Sequence, residues 1–580
     1  MTELLERGTP VMQSVRVDSD QESFAEIDAT VASIYAKRTD WLSVSAPERV
    51  RLLERMIADT LAASEQWVAA ACAAKGHAPD SVGAGEEWIS GPMLLIRNMR
   101  LLRDSLEDLA HGRMPRVHGG VHTRQNGQLV AEVFPANKYD KVAWAGYRGE
   151  IWMAPGVSAQ ELPTTQALAY RAENDDGGDL ALVLGAGNIA CLGPRDALTK
   201  LFVENRVVVL KTNPVNAYLR VHWERALAAM IERGFLAVVD GGPRAGAHLS
   251  SHPQVAEIHL TGSDKTHDAI VFGTGEEGHS RKQRREPQLQ KPITSELGNV
   301  SPVIVVPGQW SAKDLAYQGE NIASLLVHNA GFNCLAIRAL ITSAVWPQRS
   351  ELLDSVRGAL ARTPNRDPYY PGAADRHDAF CRAHPQAETF GDGEVPWTMI
   401  TGLDPELEED ICFTTEAFCG TFGEVPLPEE DPVAYLKHAV EFCNERLWGT
   451  LCATILVHPK SLREPRVAAA VDQAVADLRY GSVAVNVSHA LSFAATATTW
   501  GAYPGHSLED IQSGRGVVAN TLMFSRPEKS VIHGKWRSSP KPPWFPSSRA
   551  AVPVSRRMTE FEAAPAWRKL PGIIAAAIRN

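Results

Sequence analysis

Leu180-Ala181-Leu182-Val183-Leu184-Gly185-Ala186-Gly187-Asn188 is an apolar run that breaks at a glycine and ends on an amide. A run this short, closed by a turn signal, reads as a strand buried on both faces. Helical sequence follows over about 195–204, and Val207-Val208-Val209-Leu210 is a second buried strand. Residues 217–233 read as a helix, 236–239 as a third strand and 257–260 as a fourth. Alternating βα units imply a parallel sheet with helices on both faces. A second α/β region starts near Ser301, with strands at 303–306 and 339–343 around a helix at 315–327. Further strands are expected at 454–457 and 482–485, so the fold class is α/β.

The flanks read differently. Ser45-Ala46-Pro47-Glu48 has the spacing of a capping box, and Val50, Leu53, Ile57 and Leu61 recur at helical intervals after it. Helical sequence continues from about Trp88 to Leu109. Asn126-Gly127 predicts a tight hairpin turn between residues 121–124 and 129–134. Pro540, Pro542, Pro543 and Pro546 interrupt regular structure, so the sequence from Arg537 reads as an extended tail ending in a short helix-like segment near 573–578.

At 580 residues the chain is too long for one ordinary core, and two large lobes are expected. Its 44% hydrophobic and 22% charged content suits a globular protein. A net charge of -10 argues against general affinity for nucleic acid or acidic membranes. No apolar run approaches the roughly 20 residues of a membrane helix. Met1 to Pro10 lacks the apolar core of a signal peptide, and the eight cysteines form no CxxC pair. A cytoplasmic protein with reduced thiols and no metal site is the expectation.

Three residues carry the chemistry. Cys334 follows Asn329-Ala330-Gly331, a tight turn at a helix end that can present a side chain to a cleft. Glu296 lies on a short link before the strand at 303 and can act as a base; Asn188, at the end of the first strand, can donate to an oxyanion. Ligands bind at that edge of an open α/β sheet. Lys211 ends the second strand and can reach a ribose. Gly262-Ser263 opens a helix whose amides can meet a pyrophosphate, with Gly241, Gly242 and Gly246 just upstream. The first strand carries no GxGxxG fingerprint.

Together these motifs resemble the aldehyde dehydrogenase superfamily over about 45–524. The segment from Asp240 to Ser263 is similar to the family's approach to its cofactor-phosphate turn, and Ser295 to Pro302 to its glutamate motif. Asn329-Ala330-Gly331 before Cys334 is similar to its nucleophile motif. Glu416-Ala417-Phe418 resembles its Glu-x-Phe, and Asn486 its late strand asparagine. The resemblance implies two Rossmann-like α/β domains and a β oligomerisation arm. It divides the chain into an N-terminal helical part (1–117), an arm hairpin (118–150), a cofactor domain (151–295) and a catalytic domain (296–492). A return to the arm (493–530) and an extension (531–580) complete it. It also implies NAD or NADP held by Lys211, Gly242, Gly246, Gly262, Ser263, Glu416 and Phe418, and a homodimer or homotetramer acting on a small-molecule aldehyde. Cys334 would attack, Asn188 would steady the oxyanion, and Glu296 would activate the deacylating water. Phe332, Asn299, Pro214 and His267 depart from the family pattern, and residues 273–291 form a longer stretch, a solvated loop or a lid. Two alternatives stand: CoA as acyl acceptor, or a retired enzyme serving as a cofactor-binding scaffold.

Overall fold

The computed structural model describes residues 7–10, 23–171 and 178–579. In chain order the strands are β1 (Val121–Thr123), β2 (Leu129–Phe134), β3 (Arg148–Met153), β4 (Leu180–Leu184), β5 (Val207–Lys211), β6 (Leu236–Val239), β7 (Val255–Thr261), β8 (Ile293–Glu296) and β9 (Ser301–Val305). There follow β10 (Ile337–Ser343), β11 (Glu388–Phe390), β12 (Trp397–Ile400), β13 (Thr421–Leu427), β14 (Cys452–Leu456), β15 (Ser482–Val485), β16 (Gly514–Arg515) and β17 (Pro527–His533).

Six of them form one sheet in the order β16-β8-β7-β4-β5-β6, parallel except for β16. Every residue of β4 and β5 is buried, as strands covered on both faces require. Burying each of their Val and Leu side chains contributes about 1.5–3 kcal/mol. From β4 the chain moves outward through β5 to β6, then returns to the other side of β4 as β7. That reversal opens a crevice beyond the carboxyl ends of β4 and β7, where Gly185–Asn188 and Gly262-Ser263 lie.

The second sheet has eleven strands in the order β1-β2-β3-β17-β15-β14-β9-β10-β13-β12-β11. Its central strands are parallel, whereas β1, β2 and β3 pair antiparallel and join the rest through β17. Gly127 turns the hairpin at φ +87°, a conformation that glycine adopts without steric cost. Only residues 297–300, all buried, separate β8 of one sheet from β9 of the other, so Glu296 sits where the two sheets meet.

Some local expectations change. The Ser45 hydroxyl makes no capping bond, although the helix Ala46–Ala74 starts there. Residues 275–284 are a helix, and its flanks Thr274 and Gln288 to Lys291 line the crevice. Within residues 493–524, Gly514 and Arg515 pair with Glu296 and Ser295 in the first sheet, and Trp500 bridges to Val518 outside the named strands; β17 then enters the second sheet. The sequence after Arg537 is not simply an extended tail. It contains the helices Ala551–Ala563 and Leu570–Ile578, the first packed against the helical segments between Val82 and Ala110. A side chain at Gly85 would meet Ala551 within 2.6 Å, so the two helices touch through backbone. The reading missed this helix because part of its buried face is polar: Ser555, Thr559 and Glu562 point inward.

Candidate active site

The helix Ala312–Val327 ends in a turn in which Asn329, Ala330 and Gly331 all adopt positive φ, at 53°, 56° and 79°. Two consecutive non-glycine residues in this region are strained and need support. The Asn329 N–H donates to Glu86 Oε2 at 2.9 Å, and Arg366 clamps the same carboxylate at 2.6 and 2.8 Å. Burial opposes charge on Glu86, but Arg366 outweighs it and holds the carboxyl down at about 2. Lys75, itself buried, donates to Glu87, to the Asn188 carbonyl and to Asn329 Oδ1 at 2.7–3.1 Å. The Tyr369 hydroxyl lies 3.1 Å from each of the last two acceptors and its one hydrogen can go to either. One ammonium therefore ties the turn before Cys334 to the loop after β4.

That turn places Cys334, half-buried, with its Sγ 3.5 Å from Glu296 Oε1. Burial and the Glu296 carboxylate push the thiol well above its ordinary range, so it is protonated at neutral pH. Burial also pushes Glu296 up, with Trp500 and Cys334 offsetting part of the effect. Its Oε2 has no well-formed hydrogen bond although Trp500 lies beside it. Asn188 Nδ2 donates to the Phe332 carbonyl at 3.1 Å, which commits one amide hydrogen and leaves the other on a side chain that lines the crevice. Behind Glu296, Asp196 accepts from Thr261 Oγ1 at 2.7 Å; burial, then the Glu296 charge, push it up to about 8.

Cys334 and Glu296 line two cavities at once. One is a cleft of about 1080 Å³ whose walls include Asn188, Lys211, Gly242, Gly246, Gly262, Ser263, Glu416 and Phe418. Every residue singled out from the sequence for catalysis or cofactor binding therefore borders one cleft. The other is a pocket of about 110 Å³ that meets the cleft at Leu192, Glu296 and Cys334.

The departures also find places. Phe332 stacks among Tyr369, Tyr370 and Phe418, with ring centroids 5.0–6.0 Å apart. Asn299 is buried and donates to Ser301 and to the Cys452 carbonyl, both at 3.0 Å. His267 is fully buried and absent from the cleft wall, whereas Pro214 lines it. Asn486 Oδ1 accepts from the Val457 N–H, outside both cavities. The grouping of metal-ligand type among the described residues, His384, Asp410 and Cys412, is occupied by its own hydrogen bonds.

The cleft suits a dinucleotide in most respects. Its size is that of a large cofactor pocket, and Glu416 Oε1 is buried in the wall with no hydrogen-bond partner, an acceptor waiting for donors such as ribose hydroxyls. Burial pushes Glu416 up to about 7. One element competes. Thr9 enters the cleft between the domains, where its hydroxyl accepts from the Asp264 N–H at 3.2 Å. Gly8 pairs with Thr414 and Glu416 from the other side. Part of the amide surface at the start of the helix Asp264–Val271 is thus held by the chain's own N-terminal residues. Sequence reading missed Thr9, Lys75, Glu86, Glu87 and Arg366, because nothing in one sequence separates a buried charge from a solvated one.

These features define an α/β protein with a thiol and a carboxylate where a nucleotide-sized cleft meets a small pocket. Residues 192–365 match the family model described as "Aldehyde dehydrogenase family". Over 136 residues the chain is 29% identical to the peroxisomal aminoaldehyde dehydrogenase 1 of Pisum sativum, a match covering 21% of this chain and 24% of that protein. The chain thus aligns with about a quarter of that curated relative's length. Its backbone is similar to a Mycobacterium tuberculosis aldehyde dehydrogenase complexed with NAD+, at TM-score 0.57 and 16% identity, covering 88% of this chain and 90% of that one. It is similar too to the NADP-dependent glyceraldehyde-3-phosphate dehydrogenase of Bacillus halodurans C-125 complexed with NADP, at TM-score 0.55 and 15% identity, covering 88% and 91%. The family match covers residues 192–365, and over the rest of the chain the likeness to these solved structures is one of fold.

Proposed function

We propose that the chain oxidises an aldehyde to a carboxylic acid with NAD or NADP, through a thiohemiacetal and then a thioester on Cys334. The observation that carries this reading is the Cys334 Sγ–Glu296 Oε1 pair, 3.5 Å apart where the large cleft meets the small pocket. The protonated thiol must lose its proton as it attacks, and Glu296 Oε1 is the acceptor in reach. The new S–C bond pushes the carbonyl electrons onto oxygen, where the remaining Asn188 amide hydrogen and the Cys334 N–H steady the charge. Lys211, Gly242, Gly246, Gly262, Ser263, Glu416 and Phe418 would hold the dinucleotide, and when bound it supplies the hydride acceptor at the thiohemiacetal carbon. Glu296 passes the thiol's proton to solvent and then takes one from water; the water oxygen bonds to the thioester carbon, the S–C bond breaks and Glu296 returns that proton to the sulfur. The acid departs as a carboxylate. Retention of Glu296 beside the thiol favours water over CoA as acceptor.

The exposed edge strand β1 supports an arm that pairs with a second copy in a homodimer or homotetramer. Among the described residues no helix is long and apolar enough to cross a membrane.

The test is formation of reduced cofactor by the full chain with a panel of aldehydes, NAD or NADP, with and without CoA. Turnover without CoA is expected. Turnover only with CoA would move the acceptor from water to a thiol, and no turnover together with an unreactive Cys334 would mark a retired enzyme.

A further inference from the structure

The small pocket at Cys334 is closed in part by the C-terminal extension. Trp544, Met558 and Glu562 line it, facing Arg97, Trp144 and Phe493 across the space. Among the described residues, Glu562 is the only carboxylate in this wall besides Glu296. Its Oε1 accepts from Arg97 at 2.8 Å, and its Oε2 accepts from Arg100. Arg97 spends its other donors on both Asp140 oxygens, at 3.1 and 2.7 Å, and on the Ala495 carbonyl at 2.9 Å. Two guanidinium groups and two carboxylates thus form a closed, buried quartet. Burial opposes charge on Arg97, but Asp140 and Glu562 outweigh it and hold the group protonated. His328, the remaining titratable wall group besides the thiol and Glu296, is held below its ordinary value by burial and is neutral. The rest of the wall is largely aliphatic and aromatic, including Met93, Leu94, Phe134 and Leu491.

We propose that this pocket receives the acyl group, that the C-terminal extension is its specificity wall, and that it selects a compact, uncharged, apolar aldehyde. The inference rests on the proposed oxidation at Cys334 and adds the substrate class. Its size sets the upper bound. A dry apolar cavity of about 150 Å³ accepts benzene, so about 110 Å³ beside the thiol admits at most one six-membered ring or a chain of roughly five carbons. Its charge sets the class. An ammonium group entering here would lose its hydration and gain nothing from the extension, because both Glu562 oxygens are engaged, while burial disfavours charge on the other wall acid, Glu296. Aminoaldehydes, the class that the Pisum sativum relative's name announces, are therefore poor candidates.

The test is calorimetric binding of unreactive analogues to the full chain, which needs no turnover. The panel is benzamide and pentanamide as compact neutral ligands, decanamide as a long one and choline as a cation. Benzamide or pentanamide should bind at least tenfold more tightly than decanamide and choline. Met558→Ala should bring decanamide to within about threefold of benzamide, and Met558→Phe should weaken benzamide about tenfold. Trp544→Ala tests the same wall from a second position. Equal or tighter choline binding would overturn the charge argument. An unchanged length preference in folded Met558→Ala and Trp544→Ala would overturn the role of the extension. Oxidation rates of the matching aldehydes are measured in parallel. If none is oxidised while the compact amides still bind selectively, the reaction assigned to Cys334 fails and the pocket assignment stands.

Discussion

The two cavities that meet at Cys334 are built on opposite principles. The cleft is wide, lined by glycines, lysines and backbone at the ends of parallel strands, and it contains the buried, unpartnered Glu416 Oε1. The pocket is small and apolar, and its main charges are already paired with one another. A site whose polar atoms are left open is shaped for a polar ligand that brings its own partners, whereas a site whose charges are closed selects by volume. On the proposed function, cofactor recognition falls to the ends of βα units and substrate recognition to residues far apart in the chain.

That contrast can be broken at its hinge first. Cys334→Ala should abolish turnover, a loss of at least about 10⁴-fold, while circular dichroism stays unchanged; retained activity would remove the thiol from both cavities' chemistry. Glu296→Gln should slow deacylation by about 10²–10³-fold and leave the first hydride step faster than turnover, so stopped-flow absorbance should show a burst of reduced cofactor. On the pocket side, Glu562→Gln should cost roughly 3–5 kcal/mol of stability in denaturant titrations, because it leaves Arg97 and Arg100 under-neutralised. On the cleft side, Lys211→Ala should raise the dinucleotide KM about tenfold, the loss of one charged hydrogen bond, and leave the aldehyde KM unchanged. A shift of both KM values together would mean that the cavities are not independent.

A further effect is a pH slope. Folding raises Asp196 from 3.8 to about 8, so between those values the folded chain keeps a proton that the unfolded chain has released. Its contribution is fully present below pH 4 and is lost as pH rises toward 8, by about 1.4 kcal/mol per unit. Asp196→Asn should flatten that stretch of the stability–pH curve measured by urea unfolding.

Much of the cleft was legible because its elements are local. The runs 180–184 and 207–210 declare themselves as buried strands, and Glu296 and Cys334 stand in short motifs. Their contact at 3.5 Å follows once β8 and the turn after Val327 converge. The shape of the pocket was not legible, because its wall is assembled from Arg97, Phe493, Met558 and Glu562, which no periodicity connects. The helix Ala551–Ala563 has Pro553 in its first turn and polar groups on its inner face, so its sequence does not show the apolar stripe of a docked helix. Lys75, Glu86 and Glu87 read as ordinary helix charges until the fold shows what they hold.

Strand β17 lies between β3 and β15, so residues 527–533 join the hairpin of residues 121–153 to the rest of the eleven-stranded sheet. The hairpin therefore emerges from the ribosome long before its partner exists, with an open backbone edge exposed throughout. Closure over so large a sequence separation is slow. Refolding from denaturant should accordingly yield two separately formed cores early and a late step that stitches them together, and that late interval is when wrong pairing between copies has its opportunity.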